Sequence, residues 1–409
     1  MQLVERHFFK EGSKEYRIFD ELCFKTKNLY NATLYKIRQE YTNSKDKIYL
    51  SYPTVQRIFQ EDKQFDYVQL PAKVSQQTMR LVDQNFKSFF ASLKDYKKNS
   101  GKYKGRPKLP KYLDSKRGRQ VAIYTNQAIS KIWLKKDYIV LSKLNGIKIK
   151  LRKNHIKVVD QVRIVPGIGR YAVEVVYTVP DPVKKSDNSR YAAIDLGVNN
   201  LMTLTTNIDK HIPFVISGKK VKSINHYYNK KKAHYTSLIP KSKPYKTTKR
   251  LRRLEYKRYT KINDYFHKAS RYIVNYLVSE NINTLIIGNN KGWKQNTNIG
   301  NVNNQNFVQI PFYRLIQMLS YKCKMSGINI EIITEEYTSK CSFLDNEVIG
   351  KHDNYLGKRI TRGLFISSSG KSINADVNGS YNILRKCKPG AFANGIQGVV
   401  VHPHVLCVA

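Results

Sequence analysis

With 409 residues the chain has room for two or three domains with cores of their own. Its 73 Lys and Arg against 30 Asp and Glu give a formal charge of +43, a self-repulsion that calls for a polyanionic partner. No apolar run reaches the roughly 20 residues of a membrane span, and MQLVERHFFKEGSKEYR lacks a secretory apolar core.

Five cysteines (Cys23, Cys323, Cys341, Cys387, Cys407) are odd in number and widely spaced, so a disulfide framework is not expected and a reducing cytoplasm fits. Basic residues recur from end to end, interleaved with 29 Tyr and 16 Phe. That mixture suits a folded protein that grips phosphates while aromatic rings stack on exposed bases. Nucleic acid is the expected partner.

Residues 15–100 read as helices. Val82, Phe86, Phe89, Phe90 and Leu93 recur at three- and four-residue spacing as one apolar stripe. Asp20 is placed to cap an earlier helix carrying Leu22, Leu29 and Ile37, and Pro53 and Pro71 punctuate the run. The segment KKNSGKYKGRPKLPKYLDSKRGRQ reads as a loop, either a plain connector or a phosphate-binding stretch offering Lys104, Arg106, Lys108 and Lys111. Strand patterns follow in YIVLSK, IKIKLR, VVDQVRIV and YAVEVVYTV, with a small antiparallel barrel as their expected product.

DPVKKSDNSR links to a third region. AAIDLG and NLMTLTT suggest paired strands, followed by PFVISG. Residues 221–281 form a long basic helical stretch with Arg250, Arg252 and Arg253 at its heart, divided by Pro240 and Pro244. The strand NTLIIG, an amphipathic helix around FYRLIQMLSYKCKMSG and the strand INIEIITEE complete an α/β pattern.

Two aspartates in this region carry the chemistry. Asp195 ends an apolar strand at a Gly turn, and Asp376 opens a helical segment in INADVNGSYNILRK. Carboxylates brought together from a strand and a helix suit a pair of hard divalent cations, which stabilise the attacking and leaving oxygens of a phosphoryl transfer.

AIDLGVNNL and NADVNGSYNI resemble the first and third nuclease motifs of the insertion-sequence OrfB/TnpB family, relatives of the type V CRISPR effectors. KNLYNATLYKIRQEY, LPAKVSQQTMRLVDQNFKSFF, GRPKLPKY, NNKGWKQ, EEYTSKCSFLD and GKRITRGLF read like blocks of one OrfB subgroup. The resemblance implies an α+β multidomain protein: a small β-barrel with an inserted helical recognition domain, then an RNase H-like (RuvC) α/β nuclease core with an inserted knuckle. Residues 1–14 would supply a first barrel strand through residues such as Val4 and Phe8. Residues 15–115 would be the recognition domain, 116–182 the barrel (wedge) domain and 190–336 the RuvC-like core. Residues 337–372 would be a degenerate zinc-finger-like insertion binding target nucleic acid, 373–388 the last part of the core and 389–409 a tail. The implied activity is RNA-guided DNA cleavage with two Mg2+ ions, Mn2+ substituting. The implied partners are a guide RNA from the transposon end and double-stranded target DNA. A nuclease-dead RNA-guided DNA-binding protein and a transposase acting directly in strand transfer stand as alternatives.

Two departures from the family pattern matter. Where most members carry the second acid, at the end of the strand after the long helix, this chain has Gly288. The next strand ends in Glu335 and Glu336, and ends of neighbouring strands lie about 5 Å apart. A relocated carboxylate from Glu335, with Glu336 the alternative, would complete the metal-binding set Asp195, Glu335 and Asp376. The knuckle, in which the family usually binds zinc through two Cys pairs, keeps Cys341 alone, with Ile366 and Ser369 at the second pair. His352 and Asp353 give poor zinc spacing, so no zinc is expected. Lys358, Arg359 and Arg362 remain as candidate phosphate contacts.

Overall fold

The computed structural model describes all residues except 145, 153–155, 157, 241–246, 291–304, 306, 394, 397 and 409. Pro244 and residues 291–295 of NNKGWKQ therefore lie outside the described residues. The chain divides into two compact units, Met1–Pro180 and Asp181–Ala409.

In the first unit, strand β1 (Gln2–Lys10) pairs antiparallel along its whole length with β6 (Arg170–Thr178). β5 (Gln161–Gly167) and β2 (Ala122–Thr125) complete the sheet order β1-β6-β5-β2. β3 (Tyr138–Ile139) and β4 (Ile149–Lys150) form a separate small hairpin. Among the described residues the four-stranded sheet stays open. Its apolar residues share one core with the helices α1 (Lys14–Asn43), α2 (Tyr52–Glu61) and α4 (Ala72–Lys98), which flank the short α3 (Phe65–Val68).

Residues 2–10, with Val4 and Phe8, form the expected first strand, whose alternation turns Leu3, Glu5, His7 and Phe9 toward the interior and leaves Val4 and Phe8 exposed. One expectation for this unit is corrected. The cap of α1 is Ser13, whose hydroxyl accepts from the Tyr16 N–H at 3.1 Å. Asp20 lies inside that helix, where Arg119 grips both its oxygens at 2.8 and 2.9 Å and the Tyr171 hydroxyl adds a third bond. The stripe on α4 meets the core through four of its five residues: Val82 and Phe86 are buried, Phe89 and Phe90 pack against the same core, and Leu93 is half-buried at its end.

The second unit is built on a six-stranded sheet. β7 (Tyr191–Leu196), β8 (Asn200–Thr206) and β9 (Phe214–Ser217) form an antiparallel meander. β10 (Thr284–Gly288) pairs parallel with β7, and β11 (Asn329–Ile333) pairs parallel with β10. The short helix α5 (Lys131–Leu134) belongs to the first unit, and the long basic helices here are α6 (Lys219–Ser237) and α7 (Lys249–Ser279). α7 and α8 (Phe312–Met325) share a core with Ala192, Ile194, Leu285 and Ile287 on one sheet face. On the other face, Ala193 and Ile286 meet Ile383 and Leu384 of α9 (Ala375–Cys387). β12 (Lys358–Arg359), β13 (Leu364–Ile366) and β14 (Ser372–Asn374) make a small sheet in the knuckle, and β15 (His404–Leu406) pairs parallel with β9. Among the described residues no helix is long and apolar enough to cross a membrane.

Candidate active site

The pleat of β7 decides where the first acid points. Ala192 and Ile194 face α7 and α8, so Ala193 and Asp195 take the side covered by α9. Asn374 caps α9, its side-chain oxygen accepting from the N–H groups of Asp376 (3.0 Å) and Val377 (3.2 Å), which places Asp376 in the first turn. One turn on, the Ser380 hydroxyl lies 3.0 Å from the Ala193 carbonyl and 3.1 Å from that of Thr203, fastening helix to sheet. Gly379 brings the helix close over the first acid: a Cβ there would stand 3.0 Å from Asp195 Oδ2.

The expectation for the third acid rests on strand alternation at Glu335 and Glu336, but β11 stops at Ile333 and a turn makes the choice. The Glu335 N–H donates to Asn290 Oδ1 at 2.8 Å, and its carbonyl accepts from the Thr338 hydroxyl at 2.8 Å. Held from both sides, Glu335 is partly buried while Glu336 is exposed. Glu335 Oε1 is buried with no hydrogen-bond partner. An orphaned carboxylate oxygen is costly unless a cation or proton meets it.

Burial raises the proton affinity of Asp195 well above the usual carboxylate range, and the charges of Glu335 and Asp376 raise it further; Arg359 opposes them. Burial pushes the Glu335 carboxyl up to about 7. Asp376 is held differently, its Oδ2 accepting from Asn200 at 2.6 Å and its Oδ1 from Arg359 at 3.1 Å. Asn200 was not legible as a site residue, and Arg359 was legible only as a candidate phosphate contact. Asn200 follows the Gly turn of LGVNN without any distinguishing signal, and Arg359 looks like one basic residue among several in the knuckle. Arg359, exposed at the surface, also pairs with a site carboxylate. Lys104, Arg106, Lys108 and Lys111, Arg250, Arg252 and Arg253, and Lys358 and Arg362 are all at the surface.

The knuckle holds one group of metal-ligating side chains. Ligand atoms of Cys341, Glu347 and His352 lie within 4.8 Å of one another, Asp353 taking no part. Their present bonds do not fit zinc. The Cys341 sulfur faces the carbonyls of Val348 (3.5 Å) and Gly350 (3.7 Å), which favours a thiol over a thiolate, and burial raises its pKa. The Glu347 carboxylate accepts from the N–H groups of Ser342 (2.6 Å) and Leu356 (3.0 Å), and His352 Nε2 lies 2.7 Å from the Val348 carbonyl. Glu347, which the sequence reading passed over, thus ties the knuckle together. Asn378 and Asn382 of α9 fasten it to the core, both donating to the Cys341 carbonyl.

The family model for OrfB_IS605, described as a probable transposase, matches residues 174–294 and so includes Asp195. The Cas12f1-like TNB domain model matches residues 312–383, which include Glu335 and Asp376. The TnpB-like protein ORF457 of Acidianus two-tailed virus is 24% identical over 214 residues, 50% of this chain and 43% of the relative. Over residues 174–294 and 312–383 the chain is thus similar to the OrfB/TnpB family and its Cas12f1-like relatives. It matches less than half of the length of the viral TnpB-like protein. Its fold is similar to that of the protein in the cryo-EM structure of a Cas12f1–sgRNA–target DNA complex, with a TM-score of 0.55 at 14% identity over 91% of this chain and 83% of that one.

Proposed function

We propose that this OrfB/TnpB-like protein is an RNA-guided DNA endonuclease whose second unit is an RNase H-like (RuvC) core. The supporting topology is an antiparallel meander, β7-β8-β9, followed by two strands parallel to the first. The observation that carries the reading is the convergence of Asp195, Glu335 and Asp376, close enough for the charges of the other two to act on Asp195. These residues fit divalent cations: all donors are carboxylate oxygens, and Glu335 Oε1 lacks any other partner. Two bound Mg2+ ions, or Mn2+, would supply a nucleophilic hydroxide and neutralise charge on the scissile phosphate and leaving oxygen.

The protein's own part is positional. Asn200 fixes the rotamer of Asp376 by donating to Oδ2. Arg359 balances the carboxylate charge, and its guanidinium is suited to a phosphate once cations take over that task. The surface lysines and arginines of the 104–111 loop, the start of α7 and the knuckle would hold the guide and target backbones, with base pairing reading the target sequence. The domain boundaries inferred from the sequence remain part of this proposal.

The deciding experiment is magnesium-dependent cleavage of a plasmid matched to the RNA that co-purifies with the protein. Asp195→Ala and Asp376→Ala should each abolish cutting while leaving RNA affinity within about twofold, since each removes a metal ligand remote from a distributed phosphate grip. Near-parental cutting by either variant refutes the assignment. A parent that binds guide and target yet never cuts in Mg2+ or Mn2+ supports a nuclease-dead binder, and end joining by the protein alone supports a strand-transfer transposase.

A further inference from the structure

Gly288 ends β10 beside the turn that carries Glu335, and its backbone is not in the left-handed region, so conformational freedom does not require glycine there. Space does. A Cβ at 288 would stand 2.5 Å from Glu335 Cγ, 2.7 Å from Glu335 Oε1 and 2.6 Å from Ile383 Cδ1. Ile383 is fully buried between sheet and α9, packed with Ala193, Ile286 and Leu384, and cannot easily give way. The Glu335 backbone is tied on both sides by Asn290 and Thr338. The one element left to yield is the Glu335 side chain, and yielding takes its carboxylate out of the site.

We infer that Gly288 is a positioning residue: its missing side chain is the space occupied by Glu335, and positions 288 and 335 are two alternative origins for a single carboxylate. The direction of the absent Cβ supports the second half of this statement. It points at the place now filled by Glu335 Cγ and Oε1, so a glutamate at 288 would direct its own carboxylate toward Asp195 if the 335 side chain were cut back. This inference rests on the proposed metal site, but not on the protein's being able to cut DNA.

The test is a Mn2+ titration of the purified full chain, followed by electron paramagnetic resonance of free Mn2+, on four proteins: the parent, Gly288→Ala, Glu335→Ala and the double variant Gly288→Glu/Glu335→Ala. Gly288→Ala and Glu335→Ala should each weaken Mn2+ binding by about 10- to 100-fold, and the double variant should recover to within about tenfold of the parent. Rescue by the double variant is a result that a merely structural role for glycine does not produce. If Gly288→Ala fails to fold, the comparison of the double variant with Glu335→Ala decides alone. Parental Mn2+ affinity in Gly288→Ala, or a double variant no tighter than Glu335→Ala, overturns the inference. Cleavage measured in parallel separates the two claims: loss and rescue of Mn2+ binding in a protein that never cuts uphold Gly288 and sink the nuclease, whereas a cutting parent without this pattern sinks Gly288 alone. A parent that binds no Mn2+ overturns both.

Discussion

Glu335 and Glu336 are adjacent and chemically alike, and the turn gives them opposite fates: one partly buried against the carboxylate group, the other exposed. Glu335→Gln should therefore reduce Mg2+-dependent cutting by at least about 100-fold, because an amide keeps the size but loses the charge that balances a divalent cation. Glu336→Gln should cut at the parental rate, and a plasmid-nicking assay on the matched pair would expose the opposite outcome. The legibility of the site follows the same division. An acid at a strand end or in the first turn of a helix is ordinary by itself, and Asp195 and Asp376 were visible because both contexts occur together in motifs that resemble those of the OrfB/TnpB family. Glu335 was visible as one of a pair, but the reason for choosing it, a turn held by Asn290 and Thr338, depends on residues whose own sequence context carries no such signal. The roles of Asn200 and Arg359 were hidden because they exist only once the fold brings each to Asp376, 176 positions from Asn200 and 17 from Arg359.

At the scale of elements, hydrophobic periodicity gave the helices of the first unit and the strands of the second, since both rest on side chains that alternate or recur along one segment. What escaped was set by partners distant in sequence. Asp20 has the chemistry of a helix cap, yet Arg119 and Tyr171 claim it inside α1. In the knuckle, Glu347 ties the loop together by accepting from the Ser342 and Leu356 N–H groups, and the expectation of no zinc can be tested directly. Purified protein should accordingly contain well under about one zinc per chain, and a chelator should leave its melting temperature unchanged. Stoichiometric zinc by elemental analysis, lost with folding on chelation, would contradict this. A second element-level test concerns α8, where buried Lys322 donates to the His267 carbonyl and Ser270 hydroxyl, both at 2.7 Å. Burial lowers its pKa from 10.5 to about 8. Between those values the unfolded chain holds a proton that the folded chain lacks, so this group adds stability as pH rises through the window. Comparing denaturant melts of the parent and Lys322→Met at pH 7.5 and pH 10 should show the parent gaining roughly 2 kcal/mol relative to the variant, and a constant difference would argue against the shift.

For the whole molecule, a charge of +43 is the dominant fact, and most of its basic side chains lie at the surface in both units, buried Lys27 and Lys322 being exceptions. RNA should raise the melting temperature, and its affinity should fall by about 10³-fold or more between 50 and 200 mM salt, as counterions released from many phosphate contacts return. A shallow salt dependence measured by filter binding would argue against an extensive backbone grip. Composition made this property legible without any structure, because counterion release depends on the number of charges more than on their arrangement.

The pairing of β1 with β6 also imposes an order on biosynthesis. Residues 2–10 leave the ribosome about 160 residues ahead of their partners at 170–178, a wait of roughly 10 to 30 s at ordinary elongation rates. Throughout that interval the first strand carries unpaired amide and carbonyl groups and the apolar side chains of Leu3 and Phe9 without their sheet. Nascent chains on one polysome would present these identical edges to one another, so yield in a heterologous host should depend on chaperone supply and growth temperature more than on the stability of the finished protein.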